Sequence, residues 1–221
     1  MSTATTGVRD HAVVLVAPRR DTWIAWLIAR DGPIAGSPDD ARGELVERAR
    51  AGDPQAFETL IRARGDRLLG LARKILRDQD AADDALQQAV VAAWRTLPRL
   101  RDPGAFDTWL TRLVVNACYG EANRTRRFRA QVRQVVDEPE ASERVDAFDD
   151  REALDQAFRV LTPAHRAVVV LHHYAGLPLT DVARIVGVGP ATARTRLHYA
   201  LRSLRAALEA QDRPVIEELS R

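Results

Sequence analysis

The 221-residue chain contains one cysteine, Cys118, and one lysine, Lys74. A single thiol excludes a disulfide framework and a cysteine-rich zinc site, and it suits a reducing compartment. The scarcity of lysine leaves arginine to carry nearly all of the positive charge. Arginine binds phosphates and base edges in a bidentate fashion, although GC-rich coding produces the same bias without any function. Net charge is small as well, at +2, so any attraction to a polyanion has to be local. Long apolar runs are also missing. The two near the start, residues 12–18 and 23–29, are divided by Arg19, Arg20 and Asp21, and each falls far short of the roughly 20 residues that span a bilayer. The expectation is a cytoplasmic protein with no signal peptide and no membrane insertion.

Catalytic constellations are equally scarce. Asp83 and Asp84 form a carboxylate pair, but no nucleophile, neighbouring histidine or phosphate loop accompanies them. His172 and His173 are adjacent and would point about 100° apart on a helix, with no further ligand one turn away. One is expected to pack and the other to be solvated. Catalytic residues, cofactors and metals are therefore expected to be none, and the chain is not read as an enzyme.

What is present is helical periodicity. Residues 1–40 end in the linker-like DGPIAGSPDD and read as a flexible N-terminal extension. Trp23, Ile24 and their neighbours are either a short docking segment or the product of an over-extended start. After the cap-like Asp53 and Pro54, the residues Phe57, Leu60, Ile61, Leu68, Leu71, Ala72 and Ile75 recur at steps of three and four, as on an amphipathic helix. A second helix follows Asp80, with Leu86, Val90, Ala93, Trp94 and Leu97 on its apolar stripe. A third starts at Asp102 and Pro103 and carries Phe106, Trp109, Leu110, Leu113, Val114 and Ala117. Residues 41–130 are thus expected to form a small all-α domain.

The segment DEPEASERVDAFDDREALD carries nine acids against two arginines, which gives residues 131–150 the character of an acidic flexible linker. Four helical stretches follow, at residues 152–161, 163–174, 180–186 and 190–210, with Thr162 and Thr180 as caps and a tail at 211–221. The two glycines of GVG, Gly187 and Gly189, are free to take positive φ in a tight turn between the last two helices. Residues 151–210 therefore read as a helix-turn-helix domain, whose second helix enters a major groove. Ala193, Leu197, Ala200, Leu201, Leu204 and Leu208 form the apolar stripe of that helix. Arg194, Thr195, His198, Tyr199 and Arg202 lie opposite, flanked by Thr192 and Arg196. This face is rich in donors and free of carboxylates, as base-edge and phosphate recognition require.

Three motifs in order resemble one family, the bacterial sigma factors of the extracytoplasmic-function (ECF) type. ADDALQQAVVAAWR is similar to the family's polymerase-binding pattern, with Ala82, Asp83, Asp84, Gln87 and Trp94 matching, Gln88 in place of an acid and Val90 in place of an aromatic. FDTWLTRLVVNACYGEANRTRR is similar to its promoter-melting and minus-ten segment through Phe106, Thr108, Trp109, Leu110, Arg112 and Asn116, with Gly120 where an Asp is usual. LPLTDVARIVGVGPATARTRL is similar to its fourth region through Gly187, Thr192, Arg194, Thr195, Arg196 and Leu197, and departs from it at Pro190 and Ala191.

The resemblance implies two small helical domains, a sigma region 2-like bundle and a region 4-like helix-turn-helix. It implies a factor that binds core RNA polymerase, at the β′ clamp helices and the β flap, and directs promoter recognition and melting. Asp83, Asp84, Gln87 and Gln88 would face polymerase. Arg112, Asn116, Arg124, Arg126 and Arg127 would take the minus-ten strand. Thr192, Arg194, Thr195, Arg196, His198, Tyr199 and Arg202 would take the minus-35 duplex. An anti-sigma factor is a further partner that the resemblance implies. The alternative is a stand-alone helix-turn-helix regulator with an N-terminal protein-interaction domain.

Overall fold

The computed structural model describes residues 39–133 and 150–211, with side chains in 42–131 and 153–210. Most of the N-terminal extension, of the acidic linker and of the C-terminal tail lies outside the described residues; where their expected ends are described, at 39–40, 131–133, 150 and 211, the chain is helical. Every regular element among the described residues is helical.

Helix α1 (Asp39–Arg50) turns through Gly52, at φ 96°, into α2 (Pro54–Arg62). Asp53 caps α2, accepting from the backbone N–H groups of Gln55 at 2.9 Å and Ala56 at 3.2 Å. Those bonds and the Arg48 guanidinium hold its carboxyl below the usual range.

The periodicity from Phe57 to Ile75 suggests one helix, but the chain breaks at Ala63 and Arg64 before α3 (Gly65–Leu76). The Arg64 guanidinium returns to the Leu60 carbonyl at 3.3 Å and pairs with Asp107. The break folds Phe57 and Leu60 back toward Leu68, Leu71 and Ile75, so both sets are buried.

Helix α4 (Gln79–Thr96) departs from the expected stripe. Its buried face is Ala82, Ala85, Ala89 and Ala93, whereas Leu86 and Val90 are only partly covered and Trp94 is 40 % exposed against Phe57. A seam of alanines lets α4 lie close to α5 (Phe106–Arg133), and the larger side chains fit only at its margins. The 28-residue α5 follows two 3₁₀ turns, Leu97–Arg99 and Pro103–Ala105, and buries Phe106, Leu110, Val114, Val115 and Cys118.

The second half comprises α6 (Asp150–Arg159), α7 (Pro163–Val169), a π turn (Val170–Tyr174), α8 (Leu179–Val186) and α9 (Pro190–Gln211). Thr162 caps α7 through the His165 N–H. Thr180 does not cap α8; Pro178 occupies that position, its fixed φ suiting it to a helix entrance, and Thr180 lies inside the first turn. Both His172 and His173 are half-buried rather than divided between core and solvent. The π turn is the cause: its wider coil turns both rings into the fold, where they meet edge to face at 4.7 Å.

The two halves pack against each other. Helix α3 meets α7 and the π turn, α5 meets α7 and α8, and the buried apolar residues form one contiguous cluster. Three polar contacts tie α3 across this junction. Arg67 donates to the Ala175 carbonyl at 3.5 Å, the Lys74 ammonium sits 4.4 Å over the Tyr174 ring, and Arg77 reaches the Asp155 carbonyl and lies 3.7 Å from its carboxylate.

Candidate nucleic-acid interface

The turn from α8 to α9 uses one positive φ, at Gly187 (69°); Gly189 does not need one. Gly187 closes α8 in the left-handed conformation, and the Val188 N–H returns to the Ala183 carbonyl at 3.0 Å. Ala193, Leu197, Ala200 and Leu204 then anchor α9 against α6, α7 and α8. This anchoring leaves Thr192, Arg194, Thr195, His198, Tyr199 and Arg202 exposed. The Thr195 hydroxyl donates back to the Ala191 carbonyl at 3.0 Å, and the Arg202 guanidinium lies 5.4 Å over the Tyr199 ring. Arg196 differs from the rest, being half-buried and near Tyr119 of α5. Burial pushes the Tyr119 phenol up to about 12, and Arg196 opposes that rise.

A second donor-rich face runs along α5. Arg112, Asn116, Arg124, Arg126 and Arg127 are all exposed, and at 100° per residue they fall within an arc of roughly 160°. The acid within this stretch, Glu121, is turned inward and is 4 % exposed. The face contains a concavity lined by Gly120, Asn123, Arg124, Arg127, Phe128 and Gln131, beside which Phe128 is 66 % exposed. Phe128 and Asn123 are absent from the residues picked out by sequence. An aromatic inside a basic run is the signal that could have found Phe128, since such interleaving suits stacked, unpaired bases.

On α4, Asp83, Asp84, Gln87 and Gln88 are exposed together, with Val91 at 45 % extending the surface. Asp83 lies 3.6 Å from the Arg73 guanidinium. Gln88 is less free than its exposure suggests, because its amide donates to the Glu121 carboxylate of α5. The polar face of α4 and the basic face of α5 thus belong to adjacent helices, and α8 of the helix-turn-helix packs on α5 as well.

Two family descriptions match the chain: Sigma-70 region 2 over residues 60–128 and Sigma-70, region 4 over residues 157–206. The RNA polymerase sigma-E factor of Streptomyces avermitilis is 33% identical over 177 residues, covering 78% of this chain and 90% of the relative. The ECF RNA polymerase sigma factor SigM of Mycobacterium tuberculosis is 34% identical over 162 residues, covering 73% of this chain and 81% of the relative. The chain belongs to the ECF sigma factors. It is accordingly a transcription initiation factor that works with core RNA polymerase in promoter recognition and melting. A stand-alone helix-turn-helix regulator would leave the region 2 match unexplained.

Among solved structures, this sigma factor is similar to CnrH in complex with the cytosolic domain of CnrY. The two are 26% identical with a TM-score of 0.56, over 77% of this chain and 98% of CnrH. The sigma factor RpoE in complex with the anti-sigma factor NepR from Bartonella quintana shares the fold at 22% identity and a TM-score of 0.52, over 71% of this chain and 98% of that one. No helix among the described residues is long and apolar enough to cross a membrane.

Proposed function

We propose that this sigma factor engages the β′ clamp helices of core polymerase through Asp83, Asp84 and Gln87, with Gln88 at the edge of that surface. The basic face of α5, at Arg112, Asn116, Arg124, Arg126 and Arg127, takes the melted minus-ten strand. The exposed face of α9, at Thr192, Arg194, Thr195, His198, Tyr199 and Arg202, reads the minus-35 duplex, with Arg196 on its flank. The β flap holds region 4. The polymerase supplies the chemistry, and the chain acts in the cytoplasm without cofactor or metal.

One observation carries this reading. The two donor-rich faces, on α5 and α9, expose no carboxylate between Arg112 and Arg127 or between Thr192 and Arg202, and they stand in the order of the family's two regions. A backbone-tracking cationic groove suits a single strand, and an arginine-bearing helix suits the major groove. The complex of RpoE with the anti-sigma factor NepR supports an anti-sigma factor as a further partner.

Run-off transcription with core polymerase and a promoter library tests the reading. Transcripts that require this chain and share two spaced elements are expected. No chain-dependent transcript from any promoter would overturn it.

A further inference from the structure

Glu121 is the single buried charged residue among the described residues, at 4 % exposure. Taking a carboxylate out of water is costly unless partners satisfy it. Here two partners do. From α4, the Gln88 amide donates to its Oε1. From one turn along α5, the Arg124 guanidinium meets the same oxygen at 2.9 Å. Arg124 itself is 65 % exposed and lines the concavity beside Asn123, Arg127 and Phe128.

A plain helix-to-helix tether would explain Gln88 and Glu121, but it would not need a third member reaching out to solvent. An exposed arginine ordinarily samples many rotamers, and that freedom is lost when it grips a phosphate. Pairing through one nitrogen fixes the guanidinium and leaves its other N–H groups to donate. Gln88, at the edge of the proposed polymerase surface, is the far end of this chain of contacts.

We infer that Glu121 is a positioning residue: held by Gln88, it sets Arg124 at the rim of the α5 concavity to contact a backbone phosphate of the melted, unpaired promoter strand. This rests on the reading of α5 as the minus-ten face. Glu121 touches no DNA. It acts through Arg124.

The test uses holoenzyme assembled with the full chain and a single-stranded oligonucleotide carrying the minus-ten sequence of a promoter this factor transcribes. Arg124→Ala is expected to weaken strand binding roughly tenfold, the loss of one charge-assisted contact. It should also lower the salt slope by about 0.7. In a Glu121→Gln background the same Arg124→Ala change is expected to cost less than threefold, because the arginine is no longer set. In holoenzyme assembled with Gln88→Ala, the cost of Arg124→Ala to strand binding is expected to shrink as it does with Glu121→Gln.

Equal losses from Arg124→Ala in the two backgrounds would overturn the inference. So would tighter strand binding by Glu121→Gln, which would mean that the carboxylate merely repels DNA. An undiminished cost of Arg124→Ala in the Gln88→Ala holoenzyme would also overturn it. If Glu121→Gln does not fold, the Gln88→Ala holoenzyme still decides. Wild-type holoenzyme that transcribes no promoter and captures no strand would instead defeat the underlying assignment of α5.

Discussion

The Tyr174 hydroxyl lies 3.2 Å from where a Cβ on Gly70 would stand, so the ring from one half of the molecule occupies the side-chain space left vacant on α3 of the other. The Lys74 ammonium covers that ring one turn further along α3. The contact therefore depends on glycine at 70 for want of a side chain rather than for its backbone freedom.

Gly70→Leu should separate the two halves without unfolding either. Leucine favours the helix by roughly 1 kcal/mol over glycine, so α3 itself gains while Tyr174 is displaced. Small-angle scattering is expected to report a larger radius of gyration with an unchanged far-ultraviolet CD spectrum. An unchanged radius would mean that the junction does not depend on this contact.

Reversing Asp83 and Asp84 to arginine should abolish co-purification with core polymerase. Both side chains are exposed, and the pair with Arg73 spans 3.6 Å between half-exposed groups, worth under about 1 kcal/mol. The helical CD spectrum and melting temperature should hardly move. Core binding that survives both reversals would remove α4 from the polymerase surface.

Arg194→Ala and Arg196→Ala should differ in kind. Arg194 is exposed near the start of α9 and can reach base edges, where losing a bidentate pair costs ~1 to 3 kcal/mol on the preferred sequence. Arg196 is half-buried on the flank beside Tyr119, so its loss should weaken binding to all duplexes alike and lower the salt slope by about one. Holoenzyme binding to matched and mismatched upstream elements across a salt series separates these outcomes.

Cys118 should resist alkylation in the native chain. It is fully buried on α5, and burial pushes its thiol up to about 12, which leaves little thiolate at pH 8. Iodoacetamide is expected to modify it only in denaturant. Rapid labelling under native conditions would show that α5 opens.

His173 should make the fold sensitive to mild acid. Burial, and then the neighbouring His172, hold its imidazole below the ordinary value, and its Nε2 has no hydrogen-bond partner. The unfolded chain then binds a proton near pH 6.5 that the native chain does not, so stability falls as pH drops through that value. His173→Leu is expected to narrow the gap between urea midpoints at pH 7.5 and pH 5.5. An unchanged gap would assign the acid sensitivity elsewhere.

The helices of the second half and the caps at Asp53 and Thr162 were legible in the sequence because they follow from local chemistry, whereas Thr180, by the same chemistry a cap, was displaced by Pro178. The exposed face of α9, where a strict apolar stripe leaves one direction for Arg194, His198 and Arg202, was legible as well. The break at Ala63 and Arg64 was not; the pair that Arg64 makes there joins it to Asp107, 43 positions away, which no local pattern records. The α4 face was misjudged because alanine carries a weak hydropathic signal, while Leu86, Val90 and Trp94 carry a strong one. The contact of Gln88 with Glu121 and the burial of Glu121 were also hidden, because a polar pair between two helices leaves no periodic trace.

The alanine seam of α4 has a mechanical consequence. Ala82, Ala85, Ala89 and Ala93 have no rotamers to change, so along this seam α4 itself cannot yield by swinging a side chain aside. A push on α4 from a bound protein is therefore expected to reach α5 as a displacement of the helix, carrying the arginines at its far end.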